Sequence, residues 1–231
     1  MKRGHALLLL LPAGGAALAV VVASATSLTV APGSVSSFRT CALTGYPATS
    51  VAALDTYSDQ DKPGAKNGTA KFILVANRSG KTKVGFLRYD LSKCAPAITS
   101  SAVIKQATLR LFITAQASTS RTYGAYPVTG PCHEGLSTCW GEDTLTYNNN
   151  PTYSSTDTDK VTIATGAANN NKYYSWNVTS DVVKIVAGTA SNYGWAIADP
   201  AAYTGTAEAS FTAVEDASIA RAPQLVIVYS P

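Results

Sequence analysis

The chain's carboxylates are the side chains best suited to acid–base or metal chemistry. Glu134, Glu142 and Asp143 fall within one stretch, Gly130 to Asp157. A pair of well-placed carboxylates is the minimum apparatus for cleaving a glycosidic bond. The competing reading has Glu142 bonding strand ends and Asp143 facing water. Asp55, Asp59 and Asp61 form a second group, and Glu215-Asp216 follows a late strand. Ca²⁺ is held by carboxylates and backbone carbonyls. Asp55 and Glu215, one on an opening strand and one after a late strand, are the pair expected to hold a structural Ca²⁺. No EF-hand spacing is present, and no cofactor is otherwise required. Histidine offers little, because the chain has only His5 and His133. A Ser-His-Asp triad would need His133 as its base, and no G-x-S-x-G elbow occurs. A metalloenzyme built on several histidines is excluded by count.

A second group of residues suits binding better than catalysis. In Lys83–Asp90, Leu87 and Tyr89 share one face, opposite Phe86 and Arg88. In Ile104–Thr114, Leu109, Leu111 and Ile113 share a face, opposite Arg110 and Phe112. With the aliphatic faces turned inward, alternation turns Phe86, Arg88, Arg110 and Phe112 outward. On neighbouring strands they would make one patch of two rings and two guanidinium groups. Rings offer flat apolar faces to the C–H surface of a ligand, and arginine offers a fork to a carboxylate. Trp140, Tyr147 and Tyr153 on the following long loop would border that patch.

Short strands must position these groups. Period-two or apolar segments recur at Ala70–Ala76, Lys83–Asp90, Ile104–Thr114, Tyr173–Thr179, Tyr193–Asp199, Ala209–Val214 and Gln224–Tyr229, separated by Gly, Pro, Asn, Ser and Thr clusters. One helix is expected, Asp181–Val186, entered by Ser180 as N-cap and stopped by Gly188. This pattern predicts an all-β protein, an antiparallel, jelly-roll-like β-sandwich with one short helix. Hydrophobic residues make up 46% of the chain and charged residues 14%. That balance excludes a disordered charged tail and a coiled coil.

Residues 1–25 read as an export signal. Lys2, Arg3 and His5 precede an apolar run from Ala6 to Val22, and Ala23-Ser24-Ala25 supplies the small residues for cleavage. Residues 26–47 are Ser/Thr-rich and read as an N-terminal extension, with the sandwich over 48–231. Losing Lys2 and Arg3 lowers the net charge from +4 to +2, too little to make nucleic acid the partner. The mature protein is expected to be extracellular, away from the membrane, and monomeric. Export makes disulfides the expected state of Cys41, Cys94, Cys132 and Cys139. Three pairings are possible. The short spacing of Cys132 and Cys139 favours a local bridge, which leaves Cys41 and Cys94 for each other. Four free thiols are the alternative, and no CxxC pair suggests zinc. Three glycosylation acceptor patterns occur, at Asn67, Asn77 and Asn177.

Four ordered blocks carry a resemblance to a known family. They are Leu54-Asp55-Thr56-Tyr57 with Asn67-Gly68; Phe86 to Ser92 with Ala107 to Phe112; Trp140-Gly141-Glu142-Asp143-Thr144-Leu145-Thr146-Tyr147-Asn148-Asn149-Asn150-Pro151; and Trp176-Asn177-Val178-Thr179, Asn192-Tyr193-Gly194 and Ala222 to Tyr229. Together they resemble the DNRLRE-type domain, also classified as carbohydrate-binding module family 96, over about residues 50–231. Tyr147 stands where that family has a second tryptophan. The resemblance implies a secreted β-sandwich that binds polysaccharide, with alginate-like polyuronates as substrate class. The leading reading is a non-catalytic polysaccharide-binding module for acidic glycans. The alternatives are a structural cell-wall or matrix protein on the same sandwich and a polysaccharide-degrading enzyme using Glu142.

Overall fold

Alternation of apolar and polar residues builds two antiparallel sheets that face each other across one core. The computed structural model describes residues 37–45, 52–130, 140–216 and 218–231. The first sheet has six strands: β1 (Arg39–Thr44), β3 (Phe72–Val75), β5 (Val103–Ala115), β8 (Lys172–Asn177), β10 (Ala209–Thr212) and β11 (Gln224–Ser230). The second has five: β2 (Ala53–Asp59), β4 (Lys83–Tyr89), β6 (Arg121–Pro127), β7 (Asp159–Ile163) and β9 (Trp195–Ala198), in the order β2-β4-β9-β6-β7. The expected all-β sandwich is therefore the fold.

The 13-residue strand β5 organises the six-stranded sheet. It pairs with β11 and β10 on one side and with β8 on the other. Ala107, Leu109, Leu111 and Ile113 are fully buried from its inner face. They meet Leu87, Tyr89 and Ile197 of the opposite sheet. Trp176 on β8 crosses this core, and its indole N–H donates to the Tyr123 carbonyl on β6 at 2.8 Å. A polar atom taken from water here keeps a partner.

A second, smaller core lies on the outer face of the five-stranded sheet. Phe86, Val84, Tyr126, Val128, Ala196 and Ala198 are covered there by Trp140 and Leu145. Residues 140–153 thus form a layer over that sheet. Trp140 donates its indole N–H to the Tyr193 carbonyl at 2.9 Å, and Val128 bridges Tyr153.

The structure corrects three sequence expectations. Residues 39–44 are not an extension but an edge strand, β1, paired to β11 in register from Arg39↔Tyr229 to Thr44↔Gln224. Cys41 and Leu43 alternate into the core there, a two-residue signal hidden by the surrounding Ser and Thr. The helix α1 (Thr179–Val186) begins before Ser180. Asn177 Oδ1 accepts from the Thr179 N–H at 3.1 Å and so caps from two residues ahead. Gly188, in the left-handed region at φ 70°, follows its end, as expected. Strands β6 and β7 had not been anticipated, because Gly124 and Pro127 interrupt the pattern of β6.

Cys41 and Cys94 are joined by a disulfide, with Cα atoms 5.4 Å apart. The bond ties β1 of the six-stranded sheet to the turn after β4 of the other. The chain-entropy model gives about 4 kcal/mol for closing a loop of 53 residues. Cys132, Cys139, His133, Glu134 and the export signal lie outside the described residues. Among the described residues, no helix is long and apolar enough to cross a membrane.

Candidate functional site

The four outward residues of β4 and β5 do not form one patch. Their strands belong to different sheets, so Phe86 and Arg88 face away from the sandwich on one side, and Arg110 and Phe112 on the other. The alternation was sound; the assumption that the two strands neighbour each other was not.

On the five-stranded side, the expected ligand residues are covered. Phe86 is fully buried, with its ring centroid 5.9 Å from Trp140 and 6.3 Å from Tyr153. Trp140 is itself only 2% exposed. Neither ring has a face free for a sugar, so both are packing residues. Arg88 stays half-buried, its guanidinium 5.7 Å from the Trp140 centroid. It borders a shallow pocket of about 290 Å³ with Leu54, Tyr89, Asp90 and Asn192. Tyr147 is half-exposed in a short turn, where the Asn148 N–H donates to the Pro63 carbonyl at 3.1 Å.

On the six-stranded side the face is open. Arg110 lies over the Tyr173 ring with its guanidinium carbon 4.5 Å from the centroid. Phe112 meets the same ring edge-on at 5.3 Å. The register explains this: Phe112 pairs with Tyr173, and Arg110 pairs with Ser175 on one side and Gln224 on the other. Tyr173 is fixed by donating to the Ala222 carbonyl at 2.9 Å and accepting from Gln224 Nε2 at 3.1 Å. Arg110 donates to Gln224 Oε1 at 3.0 Å. Among the described residues it has no carboxylate partner. The strands of this sheet hold no Asp or Glu. Of their basic residues Arg110 is on the outer face, while the register puts Arg39 on the side of Cys41 and Leu43, and Lys172 on the side of Tyr174 and Trp176. Tyr173 and Gln224 were missed from sequence as site residues; their signal was an outward position on strands whose pairing to β5 was unknown.

Asp55 and Glu215 come together, and Glu142 joins them. One carboxylate oxygen from each lies within 4.8 Å of the others. The inward face of β2 carries Asp55, whose Oδ2 accepts from the Val214 N–H at 2.9 Å. As the free edge strand of its sheet, β2 also has an unpaired N–H at Asp55, and Glu142 Oε1 accepts it at 3.0 Å. Gly68 makes this contact possible: a Cβ there would stand 2.4 Å from the Glu142 carbonyl oxygen. Burial, reinforced by the charge of Glu215, pushes the Asp55 carboxyl well above the usual range. Burial also raises Glu142 and lifts Glu215 to about 7.

A cleft of about 380 Å³ opens beside α1, lined in part by Val128, Asp181, Lys184, Tyr193 and Trp195. Its carboxylate is already engaged. Asp181 Oδ2 accepts from Thr158 at 2.7 Å and from the Trp195 indole at 2.8 Å.

No curated protein matches the chain. Over residues 46–229, most of its length, it matches the family model described as carbohydrate-binding module family 96. That match takes in every strand but β1, with the covering layer and all three carboxylates, and the chain belongs to carbohydrate-binding module family 96.

Proposed function

We propose that the mature protein is a secreted, non-catalytic module that binds an acidic, uronate-containing polysaccharide on the outer face of its six-stranded sheet. Membership of a carbohydrate-binding family supplies the ligand class. The observation that carries the acidic preference is Arg110 on that face, in a sheet whose strands hold no Asp or Glu. Arg110 supplies the charged fork. It lies over the Tyr173 ring and is bonded to a neutral amide, so most of its N–H donors remain for a carboxylate. Phe112, half-exposed beside it, offers an apolar surface to the sugar ring.

Isothermal titration of the mature protein against alginate, polygalacturonate and a neutral β-glucan tests this. Binding to the polyuronates that weakens with added salt is expected, with none to the glucan. Arg110→Ala should weaken it about 10- to 100-fold, the loss of a charge-assisted contact of about 1.5–3 kcal/mol. Equal affinity for the neutral glucan, or full affinity in a folded Arg110→Ala variant, overturns the assignment.

A further inference from the structure

We infer that Asp55, Glu142 and Glu215 hold a Ca²⁺ ion that fastens the covering layer and the β10–β11 connection to the edge of the five-stranded sheet. The three oxygens lie within 4.8 Å of one another. Two oxygens on opposite sides of one Ca²⁺, each at about 2.4 Å, are about 4.8 Å apart, so the spread is that of a single shared ion. Proximity of acids is not the only observation. Asp55 is 1% exposed, and its Oδ1 has no hydrogen-bond partner. Glu215 likewise leaves Oε2 buried and unpartnered. A buried carboxylate oxygen without a donor is costly, and a cation supplies the missing partner.

The protein does not neutralise the cluster itself. Among the described residues, no Lys or Arg forms an ion pair with any of the three. The donor set is all oxygen, with no His or Cys, which suits a hard cation rather than zinc or copper. Ca²⁺ fits better than Mg²⁺, which sheds its water reluctantly and demands near-ideal octahedral geometry. The ligands come from positions 55, 142 and 215, so an ion here is bound by the folded chain and not by the unfolded one. It must therefore stabilise the fold by mass action.

The test uses the mature protein, stripped with EDTA and dialysed. Calorimetric titration should show one Ca²⁺ bound per chain, with Mg²⁺ markedly weaker. Free Ca²⁺ at about 100 times its Kd should raise Tm by about 5–10 °C. Glu215→Gln and Asp55→Asn should each abolish the binding and the Tm response. A wild-type protein that binds no Ca²⁺, and whose Tm ignores both Ca²⁺ and EDTA, overturns the inference even where the variants do not fold. Unchanged stoichiometry and affinity in a folded Glu215→Gln variant overturns it as well. Glycan affinity is not a readout here, so failure of this site leaves the Arg110 surface standing.

Discussion

On β4, Phe86 and Arg88 point away from the core between the sheets; on β5, Arg110 and Phe112 do the same. Phe86 is fully buried beneath Trp140 and close to Tyr153, whereas Phe112 stays half-exposed beside Tyr173. The two arginines diverge in parallel. Arg88 rests against a tryptophan whose other contacts are internal, with the Asp90 carboxylate near enough to feel its charge. Arg110 rests on a surface tyrosine in a sheet without carboxylates. Period two fixes which side of a strand a residue takes. It does not reveal whether a third layer will close over that side.

The comparison predicts its largest effect on stability. Phe86→Ala should cost about 3–5 kcal/mol, the price of emptying a packed aromatic site. Phe112→Ala should cost about 1 kcal/mol, since it loses one edge-on ring contact and little burial. Urea denaturation of both variants measures the difference. Equal losses would mean that the two faces are equally covered and that the open surface is not open.

A smaller effect is expected from the turn that holds the cover in place. Any side chain at Gly68 collides with main-chain atoms of Glu142, not with a flexible tip. Gly68→Ala should therefore displace residues 140–142 and cost about 1–3 kcal/mol. Trp140 emission should shift to the red as water reaches the indole. Wild-type stability with unshifted emission would show that the layer moves aside freely, and that Glu142 is not held against Asp55 by packing.

What the sequence revealed follows from how local each signal is. Leu109, Leu111 and Ile113 announce β5 because each inward residue is apolar and its neighbours are larger or polar; the strand needs nothing distant to be read. The disulfide partner of Cys41 was legible from the spacing of the other cysteines. Asp55 and Glu215 were legible as a pair because one sits on the opening strand and the other just after a late one. Glu142 was legible as a carboxylate of the long loop, either one of a catalytic pair or a bond to strand ends, and it makes a bond to β2. Its approach to the two acids depends on the path of a loop, which no local pattern reports. That Trp140 covers Phe86 was equally hidden: an aromatic on a loop carries no sign of whether it will pack down or stand free. The pairing of β8 with β5, which brings Tyr173 under Arg110, is a contact across more than 60 residues, and no local pattern reports it.

The finest contrast lies between the two arginines. Each guanidinium sits over one ring, 5.7 Å from Trp140 for Arg88 and 4.5 Å from Tyr173 for Arg110. A partly exposed cation–π contact is worth about 0.5–1 kcal/mol, so Arg88→Ala and Arg110→Ala should lower stability by similar, small amounts. Their effects on binding should separate. Arg88 borders a pocket with the Asp90 carboxylate on its wall, where an incoming uronate meets repulsion as well as attraction. Arg110 has no such neighbour on its strands. Arg88→Ala should therefore leave polyuronate affinity, and its dependence on salt, within about twofold of wild type, while Arg110→Ala lowers affinity and flattens the salt dependence. Titration at two salt concentrations reads both quantities on folded protein. A loss confined to Arg88→Ala would move the glycan to the pocket at Arg88 on the covered face and reverse the comparison.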